Sequence, residues 1–157
     1  MIRINVICTG KLKEKFWEQA CAEYIKRIGG HADFKLTELP EILPSSGVDA
    51  ASALRKEAAA VEKIIPKGAK TIALTPEGKQ YTSEEFAALI DRLASNGDSK
   101  LCFIVGSSNG ISPEMKAACD MQLSFSKMTF PHHLFRAMLL EQIYRAFMIL
   151  GGRTYNK

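Results

Sequence analysis

Three short segments gather the residue types that could do chemistry. The first, Leu74–Gln80 (LTPEGKQ), holds Pro76 and Gly78, a pairing that favours a turn between a strand and a helix. The second, Val105–Ser112 (VGSSNGIS), runs from an apolar stretch straight into Gly106, where the missing Cβ lets a ligand approach the backbone. It contains neither G-x-G-x-x-G nor G-K-[ST]. That disfavours a phosphate-cradling nucleotide site and leaves open a small ligand held by backbone N–H and C=O groups. The third, Leu123–Leu150, passes through LSFSKMTFPHH into a long apolar stretch interrupted by Arg136, Glu141, Gln142 and Arg145. Glu141 and Arg145 stand four apart, the spacing of a pair on one helix face.

Other reactive types are scattered. His132-His133 suits helix-start packing or an RNA contact; with no Cys, Asp or Glu at ligand spacing, no metal is expected there. The end, GGRTYNK, sets Tyr155 between Arg153 and Lys157. Such an end is either frayed or suited to RNA, with Tyr on a base and the cations on phosphate. Cys8, Cys21, Cys102 and Cys119 form no C-x-x-C. They read as buried, reduced thiols, with a lone catalytic cysteine as the alternative.

The elements that must position these segments follow from apolar spacing. Strands are expected at Ile2–Cys8, Phe34–Leu39, Thr71–Leu74, Leu101–Val105 and Gln122–Phe125. Helices are expected at Lys13–Ile28, with Phe16, Ala20, Tyr24 and Ile28 as its stripe, and at Asp49–Ile64, Glu84–Ala94, Pro113–Ala118 and Pro131–Leu150. Thr82 or Ser83 caps the third helix with Glu85 near the capping-box position, Thr129 is a possible cap of the last, and Pro44–Gly47 is a loop. Alternating strands and helices imply an α/β domain: a mostly parallel sheet with helices on both faces. Ligands of such sheets bind at the carboxyl ends of the strands, so the loops after Leu74, Val105 and Ser124 become the candidate site.

Composition narrows the partners. The chain has 157 residues, 46% hydrophobic and 24% charged, enough for one domain with a real core. Its opening apolar run is too short for a signal peptide or a membrane span, so a cytoplasmic location without membrane attachment is expected. Basic and acidic residues balance over 1–120. The whole net charge of +4 comes from Lys127, Arg136, Arg145, Arg153 and Lys157 against Glu141. A one-ended basic bias suits a polyanion, unless the charges merely cover a solvated face. The last helix is too widely apolar for one small domain to cover, which suggests a subunit interface.

At the residues TGKLKE, WEQACAEYIKR, LTPEGKQYTSEEFA, FIVGSSNGIS, LSFSKMTFPHHLFR and EQIYRAF, and in the Tyr-x-Lys end, the chain resembles the ribosomal RNA large subunit methyltransferase H family of the knotted SPOUT class. The resemblance spans nearly all of residues 1–157. It implies a C-terminal trefoil knot, a homodimer, and S-adenosylmethionine as methyl donor without a metal. The reaction it implies is methylation of N3 of a pseudouridine in a stem-loop of 23S ribosomal RNA, read in the assembled ribosome. By position it places the donor against Leu74, Gly106, Phe125, Ser126, Lys127, Met128, Thr129 and Phe130. Arg136, Arg145, Arg153, Tyr155, Asn156 and Lys157 would then face the RNA, with Arg145, Tyr155 and Asn156 nearest the reacting base.

Three residues depart from that family's usual pattern. Ser107 follows Gly106 in place of a second glycine, Thr75 follows Leu74 where Asp is frequent, and Asn156 stands where the tail usually has His. Ser107 is expected to crowd the donor pocket. Asn156 is expected to orient the base rather than take its proton, because an amide does not titrate near neutral pH. Two other functions remain open at this level: a knotted methyltransferase with a different target nucleotide, and a non-catalytic dimeric RNA-binding or ribosome-associated module of the same fold.

Overall fold

The computed structural model describes residues 1–44 and 47–155; Ser45, Ser46, Asn156 and Lys157 lie outside the described residues. The strands are β1 (Arg3–Thr9), β2 (Asp33–Leu39), β3 (Lys70–Gln80), β4 (Lys100–Val105) and β5 (Met121–Ser124). The helices are α1 (Lys15–Ile28), α2 (Ala50–Glu62), α3 (Ser83–Ser95), α4 (Pro113–Ala118) and α5 (His132–Leu150). All pairings are parallel, in the order β2-β1-β4-β3-β5.

Strand alternation sorts the core onto two faces. Ile4, Val6, Cys8, Leu101, Phe103, Val105, Ile72 and Leu74 pack with residues of α1, α3 and α5, such as Ile28, Phe86 and Leu139. Ile7, Cys102 and Ile104 point the other way, toward Val61 of α2 and Met115 of α4. Helices therefore cover both faces, as the chain order predicts. The strong helix starts are those with a side-chain oxygen to satisfy orphan N–H groups. Asp49 accepts from Ser52 N at 2.7 Å, Ser112 from Met115 N at 3.1 Å, and Thr82 with Glu85 forms the expected capping box.

Three local expectations are corrected. Leu74–Gln80 is not a plain turn: β3 continues through it and pairs with β5 again at Lys79↔Leu123 and Gln80↔Ser124, after a register shift beyond Leu74. Gly78 makes this possible, because a Cβ there would lie 2.6 Å from the backbone of Gln122 and Leu123. Thr129 does not cap α5; Pro131 occupies the cap position, without a side-chain hydrogen bond, and its carbonyl accepts from Phe135 N at 3.0 Å. Phe16 leaves the apolar stripe of α1 and stands 61% exposed.

Candidate functional site

The carboxyl ends of β3, β4 and β5 surround a cavity of ≈ 590 Å³. Of the residues expected to hold a ligand, Leu74, Gly106, Phe125, Ser126, Met128, Thr129 and Phe130 line it; Lys127 belongs to the same segment but not to the wall. The segment is held by its own hydroxyls. Ser124 Oγ donates to Ser126 O at 3.0 Å, and Ser126 Oγ accepts from Met128 N at 3.0 Å. Met128 is 73% exposed and therefore sits at the rim. Val105, Ile111 and Phe135 extend the apolar wall, while Ser108, Lys116 and His132 add polar groups. Lys116 and Phe135 carry no local motif that could have singled them out, because only the packing of α4 and α5 against the strand ends brings them here.

Gly106 is needed for close packing. A Cβ on it would lie 2.5 Å from Gly110 O and 2.8 Å from Ile111 Cγ1. Gly110 closes this turn in the left-handed region at φ +81° and donates its N–H to Ser107 O at 2.9 Å. Ser107 lines the cavity, but its hydroxyl is turned to α2, donating to the buried Glu57 Oε1 at 2.8 Å. Glu57 Oε2 in turn accepts from Ile42 N at 2.9 Å. Ser107 therefore ties the cavity turn to α2 and the 41–43 segment, instead of simply crowding the cavity. We predict that Ser107→Gly strips a buried carboxylate of a donor, at a cost of about 1–3 kcal/mol, and lowers the ligand-free melting temperature by about 2–12 °C. A thermal melt equal to wild type would refute this.

The other departure at the cavity, Thr75, is buried, and its hydroxyl donates to Glu77. That hydrogen bond is the main cause holding the Glu77 carboxyl below the usual carboxylate range, with Lys116 Nζ 3.4 Å away as a further contributor. Ser108 is tied to Glu41, which accepts from its N–H at 3.1 Å and from its hydroxyl. His132 closes the opposite wall against Gly10, and its buried Nδ1 has no hydrogen-bond partner. Burial first, then the neighbouring His133 and Arg136, lower its pKa, so the imidazole is neutral at neutral pH.

The expected RNA-facing cations divide. Arg136 does not face a partner: it is 1% exposed, with Nη1 2.5 Å from Glu38 Oε2 and Nη2 donating to Gly10 O at 2.8 Å. Its two Nη groups clamp α5 to the end of β2 and the loop after β1, while its buried Nε finds no hydrogen-bond partner. Arg145 binds Glu141 Oε1 through Nε at 3.0 Å and Nη2 at 2.7 Å, and lies over the Tyr155 ring at 4.7 Å. Tyr155 Oη donates to the same Glu141 oxygen at 3.3 Å, and its ring meets Tyr144 edge-on at 5.1 Å. This cluster occupies the far end of α5, about 15 Å along the axis from Phe135 at ~1.5 Å per residue. Arg153 is exposed, whereas the expectations for Asn156 and Lys157 fall outside the described residues.

Burial disfavours the nucleophilic thiolate at all four cysteines. Burial pushes the thiols of Cys8 and Cys102 up to about 12 and raises Cys21 and Cys119 as well. No group of three His, Cys, Asp or Glu side chains suited to a metal occurs among the described residues. No described helix is long and apolar enough to cross a membrane.

A parallel sheet with a glycine-lined cavity at its strand ends, closed by a loop leading into a final helix, defines the class. The family model for predicted SPOUT methyltransferases matches residues 2–156. Proteins named Ribosomal RNA large subunit methyltransferase H from Bacillus thuringiensis (strain Al Hakam) and Bacillus anthracis are 45% identical over 159 aligned positions, covering 99% of this chain and all of theirs. The chain belongs to the ribosomal RNA large subunit methyltransferase H family of SPOUT methyltransferases. More distant solved structures share the fold. A "Probable Methyltransferase from Bordetella pertussis Tohama I" aligns at TM-score 0.59 and 15% identity over 92% of this chain and 96% of its own. A "probable methylase family protein from Haemophilus influenzae Rd KW20" aligns at TM-score 0.60 and 12% identity over all of this chain and 72% of its own.

Proposed function

We propose that this protein transfers the methyl group of S-adenosylmethionine to N3 of a pseudouridine in a stem-loop of 23S ribosomal RNA. It acts as a homodimer, on the assembled ribosome in the cytoplasm. The observation that carries the reading is the ≈ 590 Å³ cavity at the strand ends, walled by seven of the eight positions that match the family's donor segment. Its size is that of a small-molecule site. Its composition suits the donor: Leu74, Val105, Ile111 and Phe130 offer apolar surface to a flat purine, and backbone around Gly106 and Ser126–Thr129 offers polar groups.

S-adenosylmethionine supplies an already activated methyl group. The protein's own task is to hold the nucleophilic nitrogen in line and to manage the proton that leaves N3. Arg145 is suited to stabilise the resulting anion, because a guanidinium stays cationic at neutral pH. Tyr155 lies against that guanidinium. Both stand at the far end of α5 from the cavity, which supports a site completed by a second copy. The half-buried Leu134 and Met138, four apart on α5 and outside the core, are the surface for that copy. The re-pairing of β3 with β5 around Gly78 supports the C-terminal trefoil knot.

The test is to incubate the protein with labelled S-adenosylmethionine and large-subunit particles from a strain lacking it. Mass spectrometry of the RNA is expected to place one methyl on a pseudouridine. Calorimetry showing no donor binding would instead favour a non-catalytic RNA-binding module, and a methyl on another nucleotide would overturn the proposed target.

A further inference from the structure

We propose that Phe16, Trp17 and His133 form a stacking platform for unpaired nucleobases of the RNA substrate at the mouth of the cavity. The proposal rests on the functional reading above and adds the surface that receives the RNA beside the target base. The rings form a continuous chain from solvent to the cavity wall. Centroid separations are 5.3 Å for Phe16–Trp17, 5.5 Å for Trp17–His133 and 5.0 Å for His133–His132. These are distances of rings in contact. His132, the last of the chain, is part of the cavity wall.

Phe16 is what an internal role does not explain. It occupies the expected apolar stripe of α1, yet the core takes Cys21 and Ile28 from that helix and leaves Phe16 61% exposed. Lys11, Lys13 and Lys15 precede it closely in the chain; all three are exposed, and none is in an ion pair among the described residues. Glu14 and Glu18 share the segment, so its charge is positive by only one. Electrostatics alone would give this surface weak affinity for a polyanion. Exposed rings beside cations give more, because base stacking adds affinity at each base and is indifferent to sequence. A base entering the cavity past His132 brings its neighbours over these rings, so the occupant we assign is single-stranded RNA.

Trp17 is the one tryptophan in the chain, so its fluorescence reports directly on this surface. Titration of the full protein with a short oligoadenylate RNA is expected to quench it saturably, and an RNA duplex of equal length much less. Phe16→Ala is expected to weaken oligoadenylate binding about tenfold, leaving the melting temperature, donor affinity and light-scattering mass at wild-type values. Lys11→Ala with Lys13→Ala is expected to flatten the salt dependence of binding. The proposal is overturned if oligoadenylate leaves Trp17 unquenched, if duplex quenches equally, or if Phe16→Ala binds like wild type. It is also overturned if Phe16→Ala dissociates a dimer, since the rings then belong to an interface between copies. Quenching by RNA in a protein that binds no S-adenosylmethionine would sink the donor reading and leave the platform standing.

Discussion

Gly106→Ala is expected to lower affinity for S-adenosylmethionine about a hundredfold while leaving the sheet folded. The new methyl would stand 2.5 Å from Gly110 O, 2.6 Å from Gly110 C and 2.8 Å from Ile111 Cγ1. Two of these are backbone atoms of a turn already committed to a left-handed Gly110 and a Ser107–Gly110 bridge. They cannot yield without reshaping the cavity wall, and overpacking of this kind costs about 1–3 kcal/mol, or roughly 5- to 150-fold in binding. Calorimetry measures the affinity, and far-UV circular dichroism checks the fold.

The same variant tests whether one chain or two build the site. Arg145→Ala removes the cation at the far end of α5 and is expected to be inactive with donor binding intact. At a donor concentration too low for Gly106→Ala, an equimolar exchanged mixture of the two variants is expected to regain about a quarter of wild-type activity, since random exchange in a twofold dimer leaves one intact site in half of the dimers. No recovery in mixed dimers verified by mass spectrometry would mean that cavity and Arg145 act within one chain.

Arg136→Ala is expected to lower the melting temperature by about 3–12 °C. Its partner Glu38 keeps 35% of its side chain exposed, so the loss is that of hydrogen bonds to a charged group, about 1.5–3 kcal/mol, and a chain of this size loses about 2–4 °C per kcal/mol. Arg136 bridges three segments at once: Glu38 at the end of β2, Gly10 after β1, and its own place near the start of α5. Glu38 is further engaged by Leu12 N at 3.2 Å. Arg136→Lys is expected to rescue little, because a single ammonium cannot reach both acceptors in the guanidinium's fork geometry. Were Arg136 an RNA contact, Arg136→Ala would melt like wild type and reduce the salt slope of RNA binding by about one. The two outcomes are distinct in a single melting curve.

Arg136 also shows why the charge count along the chain was only partly informative. The net charge lies after residue 120, yet Arg136 is sealed in the interior and Arg145 is bound by Glu141. A count cannot distinguish a cation offered to a partner from one spent on an internal acceptor, because the acceptors of Arg136 stand 98 and 126 residues away in the chain. Ser107 repeats the point at the cavity. Its type suggested crowding, but its rotamer is set by Glu57, fifty positions earlier, which no local pattern couples to it.

What residue order alone determined is local and periodic. Apolar runs and caps located the five strands and five helices within a few residues, apart from the second half of β3, since Ile4, Val6 and Cys8 or Thr82 and Glu85 act through their nearest neighbours. Alternation of those elements dictated a parallel sheet, and with it a site at the strand ends. The motifs of the Leu74, Gly106 and Phe125–Phe130 segments marked its walls. Tertiary structure alone decided how β3 continues through Pro76 and Gly78 to rejoin β5, which cations remain outside, and how Phe16 joins Trp17 and His133. Each of these depends on contacts between segments far apart in the chain, and such contacts arise from packing and desolvation of the whole fold rather than from the spacing of neighbouring side chains.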